Sequence, residues 1–290
     1  MALDPPVRER GRPQDLPQGE LALAQFLAIK DPAAFARYRR TSLRAVKAQG
    51  GRRSHDLHID QVLAGGQMPF QAITVDRFPS KESLLTAFDA LAPVRPDALS
   101  DLYALVVRPA DRLPRLVKAL GFLGPILSRI LGTGAEKEMP GFGDQANPEK
   151  GPVPETVAVM RKHDQTTPFF MMNLNRTYPK ARYESGELVS GERAYNRYGS
   201  RILPYLISVG GYPDIIGQVL ATLAGDEAGS LHDDWSEFAL VTYPSRRNFI
   251  RMMSNAPKVG VFHRDAGLKR AVLMPSSEWR GSSDISTNQP

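Results

Sequence analysis

A segment that occurs twice in this chain restricts its fold more than any other feature. The first copy reads AFARYRRTSLRAVKAQGG (34–51), and the second reads AYNRYGSRILPYLISVGG (194–211). At a constant offset of 160 residues, both copies carry an alanine, an aromatic residue, Arg-Tyr, a leucine and a closing Gly-Gly. Agreement at a fixed offset over such a distance indicates that one structural unit is repeated.

The spacing within each copy predicts an amphipathic helix, because the apolar and aromatic residues recur at steps of three and four. In the second copy this face holds Tyr195, Tyr198, Ile202, Leu206 and Val209. Asp31 followed by Pro32 supplies an N-cap and a first-turn proline for the first helix, and Ser190 can cap the second. Each helix is expected to end at Gly-Gly, where glycine tolerates the left-handed terminal conformation.

The similarity extends to both sides of the helix. Short apolar runs at 21–30 and 168–176 predict a buried strand before each copy. After the glycines, 71–88 and 237–253 each predict a strand, a Pro-Ser turn and a second helix, and a last strand follows in each copy. Each unit also has a further expected strand, near Ile59 to Leu63 in the first and Ile215 to Leu223 in the second.

Each unit is therefore predicted to be βαββαβ, a ferredoxin-like arrangement in the α+β class with two helices on one face of a sheet. The other face is apolar and needs a partner, which a tandem copy supplies within the chain. The predicted organisation is a first unit at 20–110 that is mainly structural and a second at 167–277 that holds the candidate site. A helical and loop linker occupies 111–166, and the ends, 1–19 and 278–290, are expected to be disordered.

Composition excludes some classes of chemistry. The chain has no cysteine, so disulfides and thiolate chemistry do not contribute. The formal net charge of +6 suits an anionic partner, but no run interleaves basic residues with base-stacking aromatics, so nucleic acid is not an expected partner. The first residues lack the apolar core of a signal peptide, which favours a cytoplasmic protein.

Four segments resemble the uncharacterised family called domain of unknown function 1330: MMNLNR, the Arg-Tyr helix ending in Gly-Gly, YPSRRNFIRMMSNAP and FHRDAGL. That family belongs to the dimeric α+β barrel superfamily, in which ferredoxin-like units pair sheet to sheet. The resemblance implies an intramolecular dimeric α+β barrel built from the two tandem units. The superfamily includes cofactor-independent monooxygenases, an isomerase and haem proteins, and a shared fold selects none of these activities.

The two copies differ most where polar residues could bind a ligand. Asn173 and Asn175 of the second unit stand where the first unit has Leu27 and Ile29, and alternate strand positions project to one face. Such amides either form a site or pin neighbouring loops. An insertion between the first strand and helix of the second unit places Arg176 beside them, where it could bind a carboxylate or phosphate.

His263 lies four residues after Val259 on a predicted helix, and we expect it to share the apolar face of that helix. With Tyr198 and Trp235, these residues predict a pocket in the second unit for a small anionic or aromatic organic molecule. If the protein is an enzyme without a cofactor, of acid/base or monooxygenase type, His263 is the expected acid or base. The Asn173 amide would then stabilise a developing oxyanion. Alternatively, His263 and Asn173 resemble residues of haem-degrading relatives, which would make His263 an axial haem ligand. The tryptophan of that set falls near Met252 or Met253 here, and Trp235 lies elsewhere in the sequence.

A third alternative is a non-catalytic scaffold. The segment 112–132 is apolar and basic and is broken by Pro125, which predicts two short helices packed over the units or, alternatively, a weak contact with a membrane surface. The protein is expected to be a monomer or homodimer. His55 and His58 have metal-like spacing, but in a strand they point to opposite faces, so no metal site is expected.

Overall fold

The computed structural model describes residues 15–137, 147–226 and 229–279. Most of the two ends predicted to be disordered, and part of the predicted linker loop, lie outside these residues. The described strands are β1 (Leu21–Ile29), β2 (Arg52–Ile59), β3 (Ala72–Phe78), β4 (Leu99–Pro109), β5 (Phe169–Thr177), β6 (Tyr212–Ala224), β7 (Glu237–Tyr243) and β8 (Leu268–Glu278). The described helices are α1 (Pro32–Ala48), α2 (Lys81–Asp89), α3 (Arg95–Ala98), α4 (Arg112–Ala119), α5 (Gly124–Leu131), α6 (Pro154–Met160), α7 (Gly191–Ser208), α8 (Arg246–Asn255) and α9 (Lys258–Gly267).

The strands form one closed barrel in the order β1-β3-β2-β8-β5-β7-β6-β4. Within it, each unit keeps the ferredoxin-like order, β4-β1-β3-β2 in the first and β8-β5-β7-β6 in the second, and neighbouring strands are antiparallel. The two sheets join at both edges, through β2–β8 and β4–β6. The chain is therefore an intramolecular dimeric α+β barrel of two tandem ferredoxin-like units, as the sequence predicts.

Alternation along the strands creates a core on each face of the sheet. In β1, Ala22, Ala24 and Phe26 pack inside the barrel with residues from both units, while Leu21 and Leu23 pack beneath the helices. The barrel interior is thus shared by the two units, and each unit has a further core between its sheet and its own helices. The shared core is what fixes the sheets face to face.

Local signals in the sequence are reproduced at the helix ends. Asp31 accepts a hydrogen bond from the Ala34 amide at the start of α1, and Ser190 accepts one from the Arg193 amide at the start of α7. At the Gly-Gly stops, Gly50 and Gly210 have φ of 69° and 76°. These values lie in the left-handed region, so the predicted role of glycine at both stops is confirmed.

The second strand of the first unit begins earlier than predicted. The apolar pattern predicts it near residues 59–63, whereas β2 starts at Arg52, directly after the Gly-Gly stop. The segment RRSHDLHI is too polar to be recognised as a buried strand. Its charged residues are nevertheless accommodated, because Arg53 is paired beneath α1 and His55 is paired at the end of the barrel. Pairing removes the penalty that burial of these groups would otherwise carry.

The segment 112–132 of the linker forms two short helices, α4 and α5, over the units. Helix α4 packs on β6, and α5 packs on α7. Gly124 at the start of α5 sits so close to α7 that an added Cβ would lie 3.0 Å from the Ile207 carbonyl oxygen. At the end of the described chain, β8 runs to Glu278, and the Trp279 amide donates a hydrogen bond to the Asp56 carbonyl.

A buried ion pair lies between α1 and the sheet of the first unit. Arg53 donates to both carboxylate oxygens of Asp76, with Nε–Oδ1 and Nη2–Oδ2 distances of 2.9 and 3.1 Å, and to the Ser42 hydroxyl at 2.7 Å. The Asp76 side chain is fully buried, and burial raises its pKa even though the guanidinium opposes that shift. The corresponding position in the second unit is the apolar Val241.

We predict that Asp76→Ala lowers the free energy of unfolding by about 3 kcal/mol, because it leaves the buried Arg53 guanidinium with only its longer contact to Asp56, at 3.6 Å. Urea denaturation at neutral pH measures this loss. Arg52→Ala is the matched control: it removes the neighbouring arginine, whose side chain is 65% exposed, and should change stability by at most about 0.5 kcal/mol. Equal effects of the two variants would contradict the assignment of a buried, paired charge.

Candidate functional site

The two asparagines predicted to form a site lie on the helix-facing side of β5. Met172 and Leu174 point into the barrel and Met171 points toward the helices, so alternation places Asn173 and Asn175 with Met171. The Asn173 amide donates to the Met171 carbonyl at 2.9 Å. The Asn175 amide donates to the Glu237 carboxylate at 3.0 Å. The contact between Asn175 and Glu237 is part of a largely buried cluster.

That cluster joins β5, β7 and α7 beneath the helices of the second unit. Burial raises the pKa of Glu237, against the effect of the Asn175 hydrogen bond. Burial also raises the pKa of Tyr195, whose hydroxyl interacts with Asn175 and lies near the Glu237 carboxylate. The Tyr198 ring lies 5.5 Å from the Tyr195 ring. The structure thus brings the predicted residues Asn175 and Tyr198 into one region and adds Glu237, which the sequence analysis did not identify.

Arg176 and Trp235 lie elsewhere, on the barrel side of the sheet. Arg176 forms an ion pair with Asp233, and Arg270 contacts the other oxygen of that carboxylate at 3.1 Å. The Arg270 guanidinium stands 5.2 Å from the centre of the Trp235 ring. The Trp235 indole donates to the Leu231 carbonyl at 2.8 Å. Arg176 and Trp235 therefore belong to a network that is separate from the asparagines.

His263 occupies a third place, on the outer side of α9. Its Nδ1 is 2.7 Å from the hydroxyl of Tyr183, which is a residue of the predicted insertion. Partial burial, followed by the positive charges of Arg197 and Arg201, lowers its pKa. Val259, one turn earlier, is 52% exposed, so the expectation that His263 shares an apolar face through Val259 is wrong. The catalytic roles of His263 and Asn173 stay predictions.

The surroundings of His263 do not mark it as a haem ligand. An axial imidazole needs a free ring nitrogen that faces a cavity of haem size. The Tyr183 hydroxyl holds Nδ1, which leaves Nε2 free, but the ring packs against the Tyr183 and Phe262 rings on the outer side of α9. Haem binding through His263 stays a prediction.

The barrel contains a more complete constellation at one of its ends, between β2 and β6. These two strands stand four positions apart in the ring of eight and so face each other across the barrel. Each has a bulge near its start: the pairing of β2 with β3 passes over Ser54, and the pairing of β6 with β7 passes over Asp214. Ser54 and Asp214 are related by the same offset of 160 residues as the repeated helices.

The two bulges bring His55 and Asp214 together across the barrel end. A bulge redirects a side chain from its regular place on the strand. His55 Nε2 lies 2.9 Å from Asp214 Oδ2, and the His55 side chain is only 10% exposed. The ring also makes an edge contact with Phe170 at a centroid distance of 5.3 Å. His58, in contrast, lies on the outer face against Trp279, so the prediction that the two histidines face opposite ways is confirmed.

A cavity of about 350 Å³ lies beside this pair, beneath α4. Its lining comprises Arg52, Ser54, His55, Arg77, Asp111, Pro114, Arg115, Lys118, Pro213, Asp214 and Ile215. Four of these side chains carry a permanent positive charge and two are carboxylates. The cavity therefore has an excess of positive charge, which favours an anionic ligand.

The electrostatics of the His55–Asp214 pair indicate which ring nitrogen of His55 carries a hydrogen. The hydrogen bond from His55 lowers the pKa of Asp214, and the positive charges of Lys118 and Arg77 add to the effect, against partial burial. Because an ionised carboxylate can only accept, Nε2 must carry the donated hydrogen. In the neutral ring, Nδ1 then keeps its lone pair.

Two polar atoms beside the cavity lack a hydrogen-bond partner within the described ranges. They are the buried Nδ1 of His55 and the buried Oγ of Ser54. Buried polar atoms are satisfied in most proteins, so an unpaired imidazole nitrogen and hydroxyl at one cavity indicate a place for a bound molecule. His55 can accept or donate a proton there, and Ser54 can accept or donate a hydrogen bond.

The cations at the cavity are held in defined positions. Arg77 Nη1 contacts Asp111 at 2.8 Å and Glu20 at 3.0 Å, which raises the pKa of Arg77 despite its partial burial. The Lys118 ammonium lies 4.8 Å from the centre of the Tyr212 ring. Lys118 and Arg115 both come from α4, so the linker supplies half of the permanent positive charge in the lining.

Sequence reasoning missed this site because it examined each motif within its own copy. His55 was considered with His58 only as a metal pair, and Asp214 had no apparent partner in YPDIIG. The pair could have been predicted from the 160-residue offset that relates the two units. Continuing the 160-residue offset aligns Ser54 with Asp214, and in a barrel of two such units equivalent second strands face each other.

The likenesses between this chain and known proteins are structural and of low sequence identity. No protein-family model matches the sequence and no curated protein is similar to it, so the resemblance to domain of unknown function 1330 is not confirmed. A solved protein of unknown function from Rhodopseudomonas palustris is 27% identical over 46% of this chain and 98% of its own, with a TM-score of 0.40. A mutant chlorite dismutase from Candidatus Nitrospira defluvii is 9% identical over 93% and 94% of the chains, with a TM-score of 0.45.

A haem-binding protein from Thermus thermophilus is 12% identical over 92% of this chain and 94% of its own, with a TM-score of 0.41. The strand order of this chain by itself defines its fold, independently of these likenesses.

The partly buried Glu237 gives a prediction about stability. Its folded-state pKa is raised, so the folded protein favours the protonated carboxyl, and stability falls as the pH rises through the folded-state pKa. Glu237→Gln removes this titration. We therefore expect the variant to gain stability relative to the native chain as the pH rises from about 4 to neutrality.

Urea unfolding at a series of pH values measures that difference. Glu184→Gln, in the exposed part of the insertion, is the control and should follow the native chain throughout. A constant difference between the Glu237→Gln and native proteins would contradict a buried carboxyl with a raised pKa.

Proposed function

We propose that this protein binds a small organic anion in the cavity at the barrel end, beside His55 and Asp214. The observation that carries the proposal is the His55 imidazole. It is buried, it is held through Nε2 by a carboxylate of the opposite unit, and it has an unpaired Nδ1 at a cavity rich in positive charge. A ligand carboxylate would accept hydrogen bonds from the surrounding cations, from the Ser54 hydroxyl and from Nδ1 of His55 once that nitrogen carries a proton.

The charge of the cavity supports an anion rather than a neutral ligand. Arg77 and Lys118 both lie near enough to the Asp214 carboxylate to lower its pKa, so their fields overlap at the cavity. Arg77 is fixed by two carboxylates, and Lys118 is supplied by a helix that lies over the cavity. A planar carboxylate is the group that an arginine recognises with paired hydrogen bonds.

The His55–Asp214 pair also supports proton transfer to or from the bound molecule. Asp214 holds the ring so that Nδ1 can take a proton, and its negative charge stabilises the imidazolium that results. The Nε2 hydrogen stays on the ring throughout. This is acid/base chemistry within the protein's own side chains, in line with the class of function predicted from the sequence, at a different place in the molecule.

The predicted site in the second unit is proposed as a separate region. There, the buried Asn175–Glu237 pair and the nearby Tyr195 and Tyr198 support a polar cluster beneath α7. Catalytic roles for His263 and Asn173 are not needed by the barrel-end proposal. A test of the barrel-end cavity therefore gives no result for the region in the second unit.

We also infer that the chain arose by duplication of one ferredoxin-like unit. The 160-residue offset relates the repeated helices, the Gly-Gly stops and the bulges of β2 and β6, which supports a common origin. The motifs MMNLNR and FHRDAGL support a relationship to domain of unknown function 1330.

The proposal is tested by titrating the protein with small carboxylates, using benzoate, oxalate and citrate as probes in isothermal calorimetry. We expect at least one to bind. Lys118→Gln should weaken that binding roughly tenfold or more, because one charge-assisted contact is lost. Lys269→Gln removes an exposed lysine from β8 and is the matched control.

Equal affinities of the two lysine variants would place the ligand outside the cavity, and a chain that binds none of the three probes would contradict the proposal. Circular dichroism of both variants verifies that the fold is retained.

A further inference from the structure

The linker helices present a row of large apolar side chains to solvent. Leu113 and Leu116 of α4, Phe122 in the turn between the helices, and Ile126 and Ile130 of α5 are 45–74% exposed. Phe122 and Ile130 are the most exposed of the five, at 74% and 72%. Single exposed apolar residues are ordinary on a protein surface, but five within one segment indicate an interaction surface. We call 112–132 the linker surface.

Folding leaves these residues uncovered because the opposite sides of the two helices are already used. Pro114 and Val117 are the buried residues of α4, which packs on β6. In α5, Gly124 abuts α7. Leu113 and Leu116 are three residues apart and Ile126 and Ile130 are four apart, so each pair shares one helix face. The two helices therefore have a buried side, which packs on β6 and on α7, and an apolar outer side.

The charge on the linker surface has one sign. Between Asp111 and Glu136 the chain carries Arg112, Arg115, Lys118 and Arg129 and no acidic residue. All four cations are exposed to solvent, and Arg115 and Lys118 also line the cavity. An apolar face accompanied by basic side chains without carboxylates is the composition of helices that lie in the headgroup layer of a bilayer.

The absence of carboxylates from the linker surface favours one of two occupants, an anionic bilayer, over the other, a second copy of the chain. A second copy of the chain that docked through the same face would bring two sets of cations together without counter-charges, which is unfavourable. An anionic bilayer provides phosphate and carboxylate headgroups for the cations and acyl chains for the apolar residues. None of the helices in the described part of the chain is long and apolar enough to cross a membrane. The contact would therefore be one with the surface of the bilayer.

We propose that the linker surface docks on membranes that contain anionic lipids. Phe122, Ile126 and Ile130 enter the boundary between headgroups and acyl chains, and Arg112 and Arg129 contact the headgroups. The inference does not depend on the anion-binding cavity, because these five side chains are not part of its lining.

Sedimentation with vesicles of phosphatidylcholine, with or without phosphatidylserine, tests the proposal. The full chain should sediment with the anionic vesicles and much less with phosphatidylcholine alone. Phe122→Ser/Ile126→Ser should abolish sedimentation. Arg112→Gln/Arg129→Gln should lower the partition coefficient roughly thirtyfold, which corresponds to about 1 kcal/mol for each cation near the surface.

Two controls match these variants. Leu188→Ser removes an apolar side chain that is 89% exposed in the insertion of the second unit. Arg40→Gln/Arg44→Gln removes two exposed cations of α1. Both controls should sediment like the native chain, and all variants should keep the native circular dichroism spectrum and carboxylate affinity.

Three results would overturn the proposal. The first is failure of the native chain to sediment with anionic vesicles. The second is a loss of sedimentation in the controls as large as in the linker variants. The third is a concentration-dependent dimer, seen by sedimentation velocity without lipid, that Phe122→Ser/Ile126→Ser dissociates. In that case a second copy occupies the surface.

Discussion

Closure of the barrel is the constraint on which the rest of this structure depends. A four-stranded ferredoxin-like sheet covered by helices on one face leaves an apolar face and two unpaired edges. Here the two units remove both problems at once. Their sheets join edge to edge through β2–β8 and β4–β6, and their bare faces become one shared interior. Neither unit can bury that interior alone, so the linker, the helices and the candidate site all depend on a complete pair of units.

Joining the two units in one chain also allows equivalent positions to differ. A dimer of identical chains would present the same residue twice at each symmetric place. In this chain the bulge of β2 carries Ser54 next to His55, and the equivalent bulge of β6 carries Asp214. A histidine can therefore meet a carboxylate across the barrel. The same asymmetry places a buried arginine–aspartate pair beneath α1 and a buried carboxyl with two tyrosines beneath α7.

The features that sequence predicted well are local or repeated. Helix caps at Asp31 and Ser190, the Gly-Gly stops and the order of the elements follow from residue types and spacing, and the two copies reinforce each other. The sequence was less informative about β2, because its arginines and histidines are buried only through partners distant in the chain. The site at the barrel end was missed for the same reason: His55 and Asp214 meet only when the barrel closes. Residues such as Asn173 and His263 stood out by their difference between the copies, yet the structure places them in separate regions.

The central claim is that a carboxylate binds at the barrel end beside His55, whose ring is held by Asp214 through Nε2, and that Nδ1 takes up a proton and donates a hydrogen bond to the bound anion. Nitrogen NMR of histidine-labelled protein observes both ring nitrogens of His55 directly. The account predicts that Nε2 carries a hydrogen in the free protein, and that adding a carboxylate which binds shifts the Nδ1 resonance away from that of a free lone pair. It also predicts that Asp214→Asn alters this response. An Nδ1 resonance that stays unchanged at saturating carboxylate would contradict the account.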